Sequence, residues 1–198
     1  MILEGLTTTR EADGSINVAP LGPIVGSDFR TLTFRPFPGS RSYDNLQRTR
    51  CGVFHVVDDV LLLVQTALDL PHGPLEFRPA TAVEGAVLWD CCRWYEFVVR
   101  SIDESGDRPV MAADVVYHAR LRDSFGFNRA KHAVIEAVIA ATRLQFLTSE
   151  QIAAELQRAR VPVQKTGGET ERRALQLVQS FVREHSPATA ALLSCDQF

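Results

Sequence analysis

Several things are missing from this sequence. It has 21 Lys and Arg against 24 Asp and Glu, a net charge of −3. A general basic footprint for nucleic acid is therefore absent. The longest strongly apolar runs, Val60–Val64 and the alanine-rich Ala133–Ala141, are too short for a bilayer core of about 30 Å. No basic stretch followed by an apolar one opens the chain, so no secretory signal is expected. Four cysteines make no disulfide framework: Cys91 and Cys92 are adjacent, Cys51 and Cys195 stand alone, and no CxxC spacing offers a zinc site. Reduced thiols in a cytoplasmic protein are the expectation. The histidines His55, His72, His118, His132 and His185 are scattered, and no metal centre is expected. Gly-x-Ser-x-Gly, Walker and Gly-x-Gly-x-x-Gly motifs are all missing, which removes support for hydrolase, nucleotide-triphosphatase and Rossmann readings.

What is present fills 198 residues, 45% of them hydrophobic and 23% charged, an ordinary globular composition. The first two-thirds reads as β-rich. Strands are expected at Ile2–Thr9, Ile16–Val25, Thr31–Phe37 and Gly52–Val57, with Asp13-Gly14 and Gly26-Ser-Asp28 as turns. Pro36 and Pro38 end the third strand for want of amide donors. Short helices are expected at Ser42–Thr49 and, behind the acidic Asp58-Asp59, at Val60–Leu68. The clearest β signal is a run over Ala86–Ile102, a turn at Glu104–Arg108, and a second run over Val110–Leu121. In the second run Met111, Ala113, Val115, Tyr117, Ala119 and Leu121 share a face. Two strands of that length favour a curled sheet or barrel. Trp89, Trp94 and Tyr95 read as core or interface.

From Asn128 the period changes to 3.6 residues. Ala130, Val134, Ala137, Val138, Ala141 and Leu144 mark one helix face. Thr148–Gln151 matches a capping box that opens a second helix, with Pro162 as its stop. Glu169–His185 forms a third through Ala174, Leu177, Val178 and Phe181, and Pro187 begins a short tail helix. The expected division is a β-rich domain over 1–125 and a helical extension over 126–198, an α+β chain that is mainly β.

Three segments carry possible chemistry. Arg35-Pro-Phe-Pro-Gly-Ser-Arg-Ser-Tyr-Asp-Asn-Leu46 runs from a strand end through a turn into a helix N-terminus, where free amides and the Ser40 and Ser42 hydroxyls attract an anion. Arg35 and Arg41 add the planar charge that suits phosphate. A capped surface helix with two solvated arginines fits the same residues. In Ile16-Asn-Val-Ala-Pro-Leu-Gly-Pro-Ile24, Pro20 and Pro23 mark an edge, a bulge or a ligand-facing surface. Gly22 there leaves the backbone open. Arg129 and Lys131 stand in the first turn of the 128–144 helix, where cations oppose the macrodipole by about 0.3–1 kcal/mol each. A nearby anion or carboxylate would offset that cost, or the side chains extend into water.

Together, Asn17–Pro23, Leu32–Phe37, Ser40–Leu46 and Gly52–Val56 resemble the flavin-reductase-like, FMN-binding split barrels. The whole chain, with Phe127–Ala137 and Lys165–Glu169, is more closely similar to the domain-of-unknown-function 447 family of that superfamily. The resemblance implies a homodimer of six-stranded split β-barrels, each with a C-terminal helical extension and FMN in a groove at the subunit interface. It places Asn17, Val18, Ala19, Pro20, Leu21 and Gly22 against the isoalloxazine ring. Ser40, Arg41, Ser42 and Asn45 take the phosphate and ribityl chain, with Arg35 nearby, and Arg129 and Lys131 are candidates to neutralise an anion at the groove. It implies an FMN-dependent oxidoreductase or, as the alternative, a non-catalytic flavin carrier, sensor or assembly protein. No catalytic side chain is assigned, and neither nucleic acid nor membrane is an expected partner. A dimeric interaction protein without flavin is the third reading.

Overall fold

The computed structural model describes residues 1–194, so Cys195 lies outside the described residues. The chain forms two compact units, one of residues 1–58 and 73–124, the other of residues 59–72 and Phe125 onward.

The first unit is a curled antiparallel sheet of seven strands. They are β1 (Leu6–Arg10), β2 (Ile16–Pro20), β3 (Ile24–Val25), β4 (Thr31–Phe34), β5 (Cys51–Val56), β8 (Arg93–Asp103) and β9 (Val110–Arg120), in the order β2-β1-β5-β8-β9-β4-β3. Between β5 and β8 lie β6 (Phe77–Pro79) and β7 (Ala86–Leu88), a separate two-stranded hairpin. The residues before β1 draw the two ends of the sheet together: Leu3 N–H donates to Pro23 O, Val25 N–H to Met1 O, and Ile2 bridges Ile24. Inside the curl sit Leu32, Phe34, Leu46, Phe54, Tyr95, Phe97 and Met111. Phe34 and Phe97 have ring centroids 4.6 Å apart. Gly52 is obligatory here, since a Cβ would stand 2.8 Å from the Phe97 ring and 3.0 Å from Thr8 O.

Two expected strands are broken. Ile16–Val25 divides at Leu21–Pro23, where the prolines withhold amides. Ala86–Ile102 divides at Trp89–Cys92, so β7 leaves the main sheet. The single face expected along β9 also fails. Register shifts between Glu96 and Phe97 and between Val99 and Ser101 bend the long hairpin, leaving Met111 and Ala113 buried while Tyr117 and Leu121 emerge. Trp94 and Tyr95 are buried, as a core reading requires. Trp89 is more than half exposed, with the Arg78 guanidinium 5.3 Å from its ring centroid.

The second unit is helical: α2 (Val60–Ala67), α3 (Arg129–Ala141), α4 (Ser149–Thr166), α5 (Glu169–His185) and α6 (Pro187–Ser194). The helix α1 (Arg41–Thr49) belongs to the first unit. Asp59 caps α2, accepting from Leu61 N and Leu62 N at 2.9 and 3.1 Å. Thr148 and Gln151 form the expected capping box. Pro162 does not stop α4. Apolar burial continues through Ile152, Leu156, Ala159 and Val163, and that packing outweighs one lost helical hydrogen bond. The face of α5 is rotated from the expected one, burying Leu175 and Val182 in place of Leu177 and Phe181. The Phe181 ring instead stacks on His185, centroids 4.1 Å apart. Among the described residues no helix is long and apolar enough to cross a membrane.

Candidate functional site

Pro36 and Pro38 stop β4, and Gly39 turns the chain at φ +72, a conformation glycine tolerates best. Ser40 is then the N-cap of α1, its Oγ accepting from Tyr43 N at 3.3 Å. Ser42, Asn45 and Leu46, spaced one turn apart, face inward. Leu46 reaches the core, and the two polar residues are carried down with it onto β1 and β2. There Asn17 Nδ2 donates to Ser42 Oγ and Thr9 Oγ1, each at 3.1 Å, and Asn45 Nδ2 donates to Thr9 Oγ1 at 3.1 Å. Arg48 holds the other end of Asn45, Nη2 to Oδ1, at 3.2 Å. The four are almost wholly buried: Thr9 is 2% exposed, Asn45 3%, Asn17 5% and Ser42 6%.

The structure thus brings Asn17, Ser40, Arg41, Ser42 and Asn45 to one helix N-terminus. It adds Thr9, which the sequence reading missed. A Thr-Thr-Thr run is β-prone anywhere, and nothing local marks its third member as the one facing two asparagines. Val18, Ala19 and Pro20 lie along β2 at the edge of the sheet, paired with Thr8, Thr7 and Leu6. Leu21 packs against the core, and its carbonyl accepts from Thr7 Oγ1 at 2.9 Å. The open side of Gly22 is occupied by the Leu3 carbonyl, which any Cβ would overlap. Arg35 is exposed after β4. Its carbonyl accepts from Arg108, whose guanidinium lies 4.0 Å from the Phe37 ring centroid.

Arg129 and Lys131 belong to the helical unit. Asn128 caps α3, accepting from Ala130 N and Lys131 N at 2.8 and 3.1 Å. Lys131 Nζ lies 3.9 Å from Glu171 Oε1, so a carboxylate offsets the unfavourable dipole there. Asp58 and Asp59 serve elsewhere, Asp58 gripped by Arg122 at 2.7 Å and Asp59 as the cap of α2.

A second polar centre lies where the hairpin β6–β7 meets the sheet. His55 is fully buried, with Nδ1 3.1 Å from Leu6 O and Nε2 accepting from Leu88 N at 3.1 Å. Only neutral imidazole, protonated on Nδ1, satisfies both partners. Burial is the main reason its pKa falls to about 4. Thr8 Oγ1 donates to Ala86 O at 2.5 Å. The buried Glu96 carboxylate accepts from Thr81 N at 2.8 and 2.9 Å, Ala82 N at 2.5 Å and Trp94 Nε1 at 3.2 Å. Glu96→Gln turns an amide N–H toward those donors and is expected to destabilise the fold by about 2 kcal/mol, read as a lower urea midpoint. Among the described residues the cysteines are poor nucleophiles: burial drives the Cys91 thiol up to about 11 and also raises Cys92 and Cys51.

A curled antiparallel barrel, with a helix N-terminus set over buried amides and hydroxyls, defines a split-barrel protein. Family models described as protein of unknown function DUF447 match residues 3–122 (the N-terminal domain) and residues 128–180. The chain belongs to this family. An FMN-bound protein from Methanosarcina mazei, assigned to DUF447, superimposes with a TM-score of 0.77 at 22% identity, covering 91% of this chain and 94% of that one. A 2-nitrobenzoate 2-nitroreductase from Pseudomonas fluorescens matches with a TM-score of 0.51 at 15% identity, over 60% of this chain and 64% of that one. Component B of nitrilotriacetate monooxygenase from Bacillus cereus matches with a TM-score of 0.51 at 15% identity, over 65% and 75%. These likenesses confirm the FMN-binding split β-barrel fold with its C-terminal helices, in which the sheet has seven strands and not six. Curated proteins give no match.

Proposed function

We propose that the protein binds FMN and acts as a flavin-dependent oxidoreductase. The observation that carries the reading is the polar cluster at the N-terminus of α1. Asn17 and Ser42 are more than nine-tenths buried, and Asn17 Nδ2 ties Ser42 on α1 to Thr9 on β1, which sets polar side chains beneath the helix N-terminus. Free amides at a helix N-terminus, with hydroxyls and an arginine beside them, favour a bound anion. Ser40, Arg41, Ser42, Asn17 and Asn45, with Arg35 close in sequence, would hold a phosphate and the adjoining chain. The segment Asn17–Gly22, which is most of β2 with the break that follows it, would lie along the ring. The M. mazei relative, described as FMN-bound, supports the choice of cofactor. Bound FMN supplies the redox chemistry, while the protein binds, orients and shields it.

The test is purification without added flavin, followed by an absorption spectrum and anaerobic reduction with NADH, NADPH and a panel of acceptors. Yellow protein that cycles electrons is expected. Colourless protein that gains no colour from added FMN overturns the reading. FMN that no biological donor reduces would leave a carrier or sensor.

We further propose a homodimer. β2 is an edge strand, and an edge left bare invites uncontrolled pairing. Val98, Val116, Tyr117 and Leu121 are exposed on or just after β8 and β9. Light scattering at micromolar concentration is expected to give about 44 kDa, twice the 22.0 kDa of the chain. A monomer at that concentration would exclude a site shared between subunits.

A further inference from the structure

We propose that the groove between α4 and α5 docks an acidic segment of a partner protein, held in polyproline II conformation with carboxylates three residues apart. The groove belongs wholly to the helical unit and owes nothing to the FMN reading.

The turn at Gly167–Gly168 sets α4 and α5 side by side, and they leave between them a groove of about 290 Å³. Its floor is apolar, formed by the buried Val163 and Leu175. Arg160 of α4 and Arg172 of α5 bring positive charge to its walls, and Gln164, Gln176 and Gln179 bring amides. Among the described residues no Asp or Glu lines it. Two acids of the same helices are engaged elsewhere: Glu155 pairs with Arg158, and Glu171 accepts from Gly168 N at 2.8 Å and lies 3.9 Å from Lys131. The groove therefore carries two guanidinium groups and nothing to neutralise them. Its complement is a ligand with carboxylates.

The spacing of the charges selects the ligand's shape. Arg172 Nη2 donates to Gly167 O at 3.0 Å, which holds it at the turn. Arg160 stands seven residues before Gly167 on α4, a rise of about 10 Å. In polyproline II three residues make one turn and advance about 9 Å, so side chains at i and i+3 share a face at nearly that separation. A β-strand would turn the same two side chains to opposite faces, and an α-helix would bring them within about 6 Å of each other. Polyproline II also has no internal hydrogen bonds. Its carbonyls are left to accept from the three glutamine amides, while each guanidinium takes a carboxylate in its planar fork. A segment already extended in this way loses little entropy on docking.

The experiment titrates full-length protein into dye-labelled peptides, with binding read by fluorescence anisotropy. One peptide carries Glu-Pro-Pro-Glu, and the controls carry Gln-Pro-Pro-Gln and Glu-Pro-Glu-Pro. Glu-Pro-Pro-Glu is expected to bind more than about tenfold more tightly than Gln-Pro-Pro-Gln and about fivefold more tightly than Glu-Pro-Glu-Pro. Its affinity should fall as salt rises from about 50 to about 300 mM. Arg160→Gln and Arg172→Gln should each weaken it about fivefold. Arg160 is exposed, so Arg160→Gln should keep the wild-type Tm and flavin affinity. Arg160→Glu should reverse the preference at one end, binding a peptide with one Glu replaced by Lys better than it binds Glu-Pro-Pro-Glu. Equal affinity for the three peptides, no binding at millimolar concentration, or wild-type affinity in Arg160→Gln overturns the proposal. So does inorganic phosphate or a single-stranded oligonucleotide that competes as well as the peptide, since the groove would then be a general anion patch. If Arg172→Gln loses its fold with the Gly167 contact, the two Arg160 variants decide alone.

Discussion

Replacing Arg41 and Ser42 together with alanine is expected to weaken FMN about a hundredfold while riboflavin loses about tenfold or less. The two flavins differ only in the phosphate, so the ratio of their losses reports on that group alone. A charge-assisted contact from the Arg41 guanidinium contributes about 1.5–3 kcal/mol, which is at least tenfold in affinity. Ser42 adds a hydroxyl to the cluster and receives the Asn17 amide, so its loss also disturbs the donor set. Arg41 is the first residue of α1 and exposed, whereas Ser42 is buried. The arginine change should therefore leave the melting temperature nearly unaltered, and the serine change should lower it. Equal losses for FMN and riboflavin would place the phosphate elsewhere and return α1 to the role of a capped surface helix.

The second large effect is on stability in acid. His55 titrates near 6.5 when unfolded and about 4 when folded. A depressed folded value means the unfolded chain binds the proton more readily. Stability is then complete above pH 6.5 and is lost as pH falls from there to about 4, by about 3 kcal/mol. Urea midpoints at half-unit intervals should begin to fall between pH 6.5 and 5.5, where ordinary carboxylates are still ionised. Among the described residues His55 is the one buried histidine. A stability profile flat from pH 7 to 5 would show that imidazolium is tolerated between Leu6 and Leu88.

How much of this was legible beforehand divides along physical lines. Local rules worked where local forces decide. The Thr148–Gln151 box, the inward face of α3 and the cap at Ser40 all depend on residues within one turn of each other. They failed where distant packing overrides them. Pro162 should have ended α4, yet Val163 beyond it is buried. The run Ala86–Ile102 looked continuous because its break at Trp89–Cys92 carries no glycine or proline. At the site, the helix terminus was visible because Pro, Gly and Ser announce it. Thr9 was not, since its partners lie 8 and 36 residues away. His55 and Glu96 stayed hidden for the same reason, their partners other than the Trp94 indole being backbone groups distant in sequence.

The placement of α2 bears on how the molecule can be cut and recombined. Its sequence lies between two barrel strands, but it folds with the helices that follow residue 125, burying Val60, Leu63 and Val64. The helical unit is therefore discontinuous in sequence, and no single cleavage separates it from the barrel. A chain shortened to residues 1–124 would carry an orphaned amphipathic helix with its sticky side bare, a surface that drives self-association. Exchanging the helical part between relatives would require two grafts made together, one in the middle of the barrel and one after it. Selection faces the same restriction, because α2 and the distal helices can drift only in step.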